Sequence, residues 1–501
     1  MTNIVLKSSS IFTGSSRNLL NGYIKIENNK ITYVGNNQPE IESDTKIIDL
    51  KDQMVLPGFV DSHCFFTGYL LTIFPFDCSS YKTKEQVFDY IKNSSDDVVL
   101  MNHLKLDDIS DEDLNEFKDK SVIIFHEGQE TCILNDNAKQ RFEFDNSKCY
   151  SEGYWKLLEY ILNKDDIAEK EFIKYLAMLN SKGITSIKEM GFDNYYNFTD
   201  KLNKLKNENK LTARVNFMSQ PVGYDMDVDY GLKMKEKYND EYLCFSGYNQ
   251  MTDGSISQLE GYLKQPYLCE DTICKKDIDW DKLEADTLKA DSLDMRFSLH
   301  AQGDGAIKKC LDIFNKCKKD SNGKLINRHA ITDLECSDAN DFKLMGELGV
   351  VAEIYPQIMS IAKREEKIAM INKNIGVERG KNYWNRRSML DNDVVISCAT
   401  DLPLLVDDIP ESIYNSVYGL FPDSSVPFNK QNTISVSELL KAWTYGGQYN
   451  LGKESILGTI EVGKLADITV LNKNVLDVPE YHLDDVEVTL TIFDGKIVFK
   501  R

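Results

Sequence analysis

LPGFVDSHCFF, residues 56–66, is an apolar run that closes on Asp61, Ser62 and His63. A short apolar run closed by metal-capable side chains reads as a buried strand that delivers them at its end. Seven further stretches repeat the pattern: GITSIKEM (183–190), ARVNFM (213–218), LCFSGYNQMTDG (243–254), RFSLHAQGDG (296–305), INRHAITD (326–333), GVVAEIYP (349–356) and VVISCATD (394–401). Helical patterns lie between them. After His300, for example, Ile307, Cys310, Leu311 and Phe314 recur at helical spacing, and Asn322-Gly323 stops the run. Strands alternating with helices predict a parallel sheet. Eight such units predict an α/β fold of the (β/α)8 TIM-barrel type, with its active site at the C-terminal strand ends.

The chain ends read differently. GYIKIENNKITYVG (22–35) alternates apolar and polar residues around Asn28-Asn29, and VEVTLTIFDGKIVF (486–499) does so around Asp494-Gly495. Both are hairpin signals. They predict a small β-sandwich domain composed of residues 1–56 and 450–501, with the barrel spanning 57–449. Residues 85–150 break the repeat and are expected as an insertion after the first barrel strand, near the barrel mouth.

With 501 residues, 42% of them apolar, the chain can bury a large core. A formal charge of -21 argues against nucleic acid and anionic membrane as partners. MTNIVLKSSSIF has no long apolar segment, and no run approaches eighteen apolar residues. The eleven cysteines include no C-x-x-C pair and read as reduced thiols. The expectation is a cytoplasmic protein with a small-molecule substrate and no nucleotide cofactor; a homodimer is left open.

Only six histidines are present. His63, His300 and His329 fall in predicted barrel-strand segments, and Asp401 closes the last one. In a barrel these four would converge on one mouth. Imidazoles and a carboxylate suit zinc, which polarises a carbonyl and lowers the pKa of water to about 7. A neighbouring carboxylate can then move the proton. His103, His126 and His482 lie elsewhere and are taken as surface or structural.

These residues sit in motifs that resemble the amidohydrolase superfamily, in the branch around N-substituted formamide deformylases. LPGFVDSH is similar to that family's first metal strand, DGSISQLEGYLKQPY to its fourth-strand segment, LHAQGDGAI and RHAITDLE to its fifth- and sixth-strand histidine segments. YWNRRSMLDNDVVISCATDLP resembles the approach to its strand-eight aspartate, and LGTIEVGKLADITVLN its closing motif. The resemblance implies metal ligation by His63, His300 and His329, with Asp401 as general base and then acid. It also implies a histidine at 65 and a lysine at 249, where this chain has Phe65 and Asn249. Relatives often carry a histidine in the insertion near the place of Glu130.

Two lysine-bridged metals are therefore not expected. The options are one divalent metal, zinc first, held by the three histidines; compensation by Lys188; or a barrel that binds a ligand without hydrolysis. The expected activity is hydrolysis of a non-peptide C–N bond in a small amide or N-acyl compound, with a mononuclear deaminase as a further alternative. Phe65, Asn249, Glu130, Tyr355 and Arg387 are the expected substrate contacts.

Overall fold

The structure is a computed structural model, and it describes all residues except 1–2, 17, 44, 127–130, 145–151, 165, 194–196, 222–224 and 407. Eight parallel strands form the central sheet: β1 (Phe59–Cys64), β2 (Ile184–Glu189), β3 (Arg214–Ser219), β4 (Leu243–Met251), β5 (Arg296–Ala301), β6 (Ala330–Asp333), β7 (Val351–Ile354) and β8 (Ile396–Cys398). Each pairs with its sequence neighbours. The last strand meets the first through a parallel bridge between Cys64 and Leu402, and Ser62 Oγ donates to Cys398 O at 2.7 Å. The sheet is thus a nearly closed barrel, as the eightfold repeat predicts.

Its interior is unusually polar. Lys188, Asn216, Ser298, Thr332, Glu353 and Ser397 are all buried inside it. The helices pack the outer face into one continuous core with Phe172, Leu311 and Trp443.

Strands from both chain ends join in one seven-stranded sheet. Its order is Lys496–Lys500, Val488–Phe493, Ile468–Leu471, Lys46–Pro57, Ile4–Ile11, Leu20–Glu27, Lys30–Gly35. It encloses a separate core that includes Leu6, Ile24, Val55, Ile468 and Ile492. Arg214, at the N-terminal end of β3, fastens this sheet to the barrel by a bidentate pair with Asp467 at 2.8 and 3.0 Å. Gly183 leads into β2 at φ +83, and a Cβ there would lie 2.5 Å from Thr469 Cγ2, so this junction admits only glycine.

The segment after β1 forms a four-stranded sheet of Phe76–Asp77, Val98–Leu104, Ser121–His126 and Cys132–Leu134, with a core of its own around Val87, Met101 and Ile124. It begins earlier than the predicted residue 85, because Phe76 and Asp77 pair with Met101 and Asn102. No helix of the described residues is long and apolar enough to cross a membrane.

Candidate active site at the barrel mouth

Parallel strands deliver their last inward-facing residues to one end. β1 places His63 there, and β5 places His300. Asp401 follows β8, and its backbone N donates to His63 O at 2.8 Å, which fixes it beside β1. His63 Nε2 and Asp401 Oδ1 stand 3.6 Å apart, too far for a hydrogen bond. Asp401 and Asp333 both adopt left-handed backbone angles, φ +53 and +81. Non-glycine residues hold such angles at some cost, and sites of function collect them.

Both mouth histidines are held by carboxylates. His63 Nδ1 lies 3.3 Å from Glu353 Oε2 on β7. His300 Nε2 lies 3.0 Å from Asp333 Oδ2, which also accepts from Gln302 Nε2 at 2.7 Å. A carboxylate accepts, so the bonded nitrogen carries the proton. The opposite nitrogens, His63 Nε2 and His300 Nδ1, are left with lone pairs. His300 Nδ1 is buried and without a hydrogen-bond partner among the described residues; the nearest carboxylate, Asp253, is 3.6 Å away. Asp253 itself is saturated by the backbone N–H groups of Tyr262, Gln302 and Gly303 at 2.8, 3.0 and 2.9 Å.

The charges follow from this packing. Burial pushes Asp401 up to about 6, with Asp333 adding to the rise and His63 opposing it. Burial would lower His300, but the bond to Asp333 and the fields of Asp333, Asp253 and Asp401 outweigh it and raise the imidazole. Below the mouth, Lys188 and Glu353 form a fully buried ion pair. Burial takes Lys188 down to about 8. Burial would raise Glu353, yet Lys188, His63 and Arg296 hold it well below the usual carboxylate range.

His329 does not reach the mouth. β6 begins at Ala330, so His329 precedes its strand, and Thr332 is the residue in register with His300. Three residues of strand separate them, roughly 10 Å. His329 Nε2 lies 3.0 Å from Asp291, its Nδ1 accepts the Phe297 backbone N–H at 2.9 Å, and its ring stacks on Phe314 at 4.9 Å. The expected metal role of His329 is therefore corrected: it is a base-of-barrel packing residue.

Among the described residues, the one trio of ligand-type side chains whose donor atoms all lie within 4.8 Å is Asp291, Cys317 and His329. Hydrogen bonding argues against a cation there. Nδ1 accepts a backbone proton, so Nε2 must carry the ring's own proton and has no lone pair to give.

Of the expected substrate contacts, Phe65 sets its ring edge-on to His63 at 5.4 Å, and Tyr355 does so at 6.1 Å. Asn249 is buried on β4 and donates to Gln220 Oε1 at 2.6 Å; its Oδ1 has no partner among the described residues. Arg387 is a correction: it pairs with Glu438 at 3.0 Å and Asp391 at 2.9 Å, while its neighbour Arg386 is buried, donates to Tyr355 O at 2.9 Å and lines a small cavity with Asp333 and Trp384. Glu130 lies outside the described residues. His103 is half-buried and pairs with Asp77, and His482 is exposed and pairs with Asp485.

Asp333, Glu353 and Thr332 escaped the reading of the sequence. Asp333 carried a usable signal, since it closes the run INRHAITD as Asp401 closes VVISCATD. Glu353, a lone charge inside GVVAEIYP, carried another.

A sequence pattern described as "Amidohydrolase family" matches residues 134–499. The N-substituted formamide deformylase of Arthrobacter pascens is 25% identical over 211 residues, 42% of this chain and 37% of that protein. The matches span less than half the length of the first curated relatives. Among solved structures, an uncharacterized metal-dependent hydrolase of Pyrococcus furiosus superposes with a TM-score of 0.74 at 20% identity, covering 95% of this chain and 100% of that one. Ochratoxinase of A. niger superposes with a TM-score of 0.56 at 13% identity, over 100% and 96%. Similarity at these identities speaks for the fold.

Proposed function

The chain belongs to the amidohydrolase family, and we propose that it is a hydrolase that cleaves a C–N bond of a small amide or N-acyl compound at the barrel mouth, with one divalent cation. The observation that supports this reading is the paired orientation of His63 and His300. Each gives one ring N–H to a carboxylate and keeps the other nitrogen's lone pair, the arrangement that metal-binding imidazoles use. The donor set fits one cation: His63 Nε2 and Asp401 Oδ1 are spaced as ligands sharing an ion are, and His300 Nδ1 is a buried nitrogen lacking a partner. The trio is looser than a closed site, since it does not fall within 4.8 Å as a group. Phe65 and Asn249 stand where the resemblance expects donors to a second ion.

A cation held there supplies Lewis acidity toward a carbonyl oxygen. The chain's own residues do the rest. Asp401 takes a proton from the attacking water and returns it to the leaving nitrogen. Phe65 and Tyr355 wall the site with aromatic surface and favour a substrate with an apolar part. Asn249 offers Oδ1 to a substrate N–H. N-formyl compounds come first among substrates to try, a choice that the similarity to the Arthrobacter deformylase supports.

The test is elemental analysis of untagged protein purified without chelator, followed by an amide and N-formyl screen. About one metal per chain, lost in His300→Ala together with turnover, is expected. No metal after Zn2+ and Mn2+ are offered, and no turnover, would defeat the proposal. The two replacements also favour a second reading, a barrel that binds its ligand without cleaving it; tight binding of an amide with no product after prolonged incubation would establish that instead.

A further inference from the structure

Glu353, which accepts the Nδ1–H of His63, forms with Lys188 a fully buried ion pair at the barrel axis, both side chains 0% exposed. Every atom of the pair has work. Lys188 Nζ donates to Glu353 Oε1 and approaches Ser298 Oγ at 3.4 Å and Asn450 Oδ1 at 3.5 Å. Glu353 Oε1 also accepts from Asn450 Nδ2 at 2.9 Å. Its Oε2 accepts from Thr332 Oγ1 at 2.8 Å and from His63 Nδ1 at 3.3 Å. The pair thus spans β2 and β7 and ends on a mouth histidine.

Core filling alone does not call for this design. Replacing a buried pair by apolar residues of similar volume is often neutral or stabilising. What the pair adds is an acceptor at one nitrogen of His63, kept ionised by a fixed cation. An imidazole has one mobile proton when neutral, so an acceptor at Nδ1 leaves Nε2 with its lone pair toward Asp401.

We propose that Lys188 and Glu353 are positioning residues that lock His63 in its Nδ1–H tautomer and so prepare Nε2 as a cation ligand. This rests on the proposed single-cation site, but the tautomer can be read without any metal.

Two measurements test it. In wild-type protein with 15N-labelled histidine, freed of metal, the His63 resonances are assigned by their absence in His63→Asn; only six histidines contribute signals. The Nδ1–H tautomer is expected, and an Nε2–H tautomer overturns the proposal. The double variant Lys188→Met/Glu353→Leu removes the acceptor together with its paired cation, while Arg296, buried nearby, loses its carboxylate neighbour. Its melting temperature reports whether it stays folded, and in the folded variant affinity for Zn2+, by titration calorimetry, should fall about 10- to 100-fold, as loss of a histidine's carboxylate partner does elsewhere. Unchanged affinity in a folded double variant makes the pair core packing and overturns the proposal. Should that variant not fold, the tautomer decides. Should the wild type bind no metal, the single-cation reading fails while the tautomer still tests the positioning role.

Discussion

The barrel holds two histidine–aspartate pairs that look alike, one at each end. His300 and Asp333 at the mouth and His329 and Asp291 at the base have the same 3.0 Å separation from Nε2 to carboxylate. The other ring nitrogen separates them. At the base it accepts a backbone N–H and the ring stacks on Phe314, so every polar atom of the imidazole is used by the protein. At the mouth it has no partner among the described residues. A saturated pair is architecture, whereas a buried nitrogen left over is a place for something else to bind, because leaving it unmade costs about 1–3 kcal/mol.

Alanine substitution should therefore part the two ends. His300→Ala should eliminate bound metal and turnover, and it should cost less stability than His329→Ala because no stacked ring is lost and Gln302 still donates to Asp333, as read by elemental analysis, product assay and calorimetry. His329→Ala should lower stability by about 2–4 kcal/mol, since it deletes a stacked, fully buried ring and strands Asp291, and the folded fraction should keep its metal. Destabilisation by both with no metal loss in either would erase the distinction. Asp401→Asn, at the mouth, should reduce kcat about 10²- to 10⁴-fold. In the wild type kcat/KM should climb with pH as Asp401 loses its proton, and this limb should vanish in the variant.

The eight strands were legible because each is a short apolar run with a polar close, and burial on both faces of a parallel strand writes that pattern directly. His63, His300 and Asp401 were legible for the same reason. His329 was misplaced because strand length is not written in the run: INRHAITD contains eight residues, but only Ala330–Asp333 pair. Shifting the strand start by a few positions moves a histidine from one end of the barrel to the other. Arg387 was misplaced by one residue, which in a short helix is enough to turn a side chain from the cavity to the surface. The Lys188–Glu353 pair joins residues 165 apart, and no local pattern announces it. The joining of both chain ends in one sheet was foreshadowed by two hairpin signals, though not its order, which depends on Lys46–Pro57 pairing with strands from each end.

A smaller contrast concerns the carboxylates. Asp193 and Asp61, both buried, are pushed up to about 6 by burial and keep their protons to higher pH folded than unfolded. The folded state then binds more protons between about pH 4 and 6, so stability falls as pH rises through that window and is gained on acidification. The melting temperature should be higher at pH 5 than at pH 7. Each group contributes on the order of 2 kcal/mol, and Asp193→Asn should flatten the difference in part. Glu353, held low, works in the opposite sense and weakens the fold only at lower pH, as it is forced to take a proton. A melting temperature that drops steadily from pH 7 to 5 would contradict the assignment of these aspartates.

The smallest expected effect is none. Among the described residues Cys317 completes the one close trio of ligand-type atoms, so distance alone would put a metal there. Cys317 lies in an apolar setting that pushes its thiol up to about 12, and beside it Asp291 already accepts from His329, the Lys318 backbone N–H and Asn327. A thiol ligates as thiolate, and nothing here favours the thiolate. Cys317→Ser should therefore leave metal content, its affinity and turnover unchanged. Loss of the metal in this variant, with metal retained in His300→Ala, would reverse the comparison and make the base of the barrel the binding end.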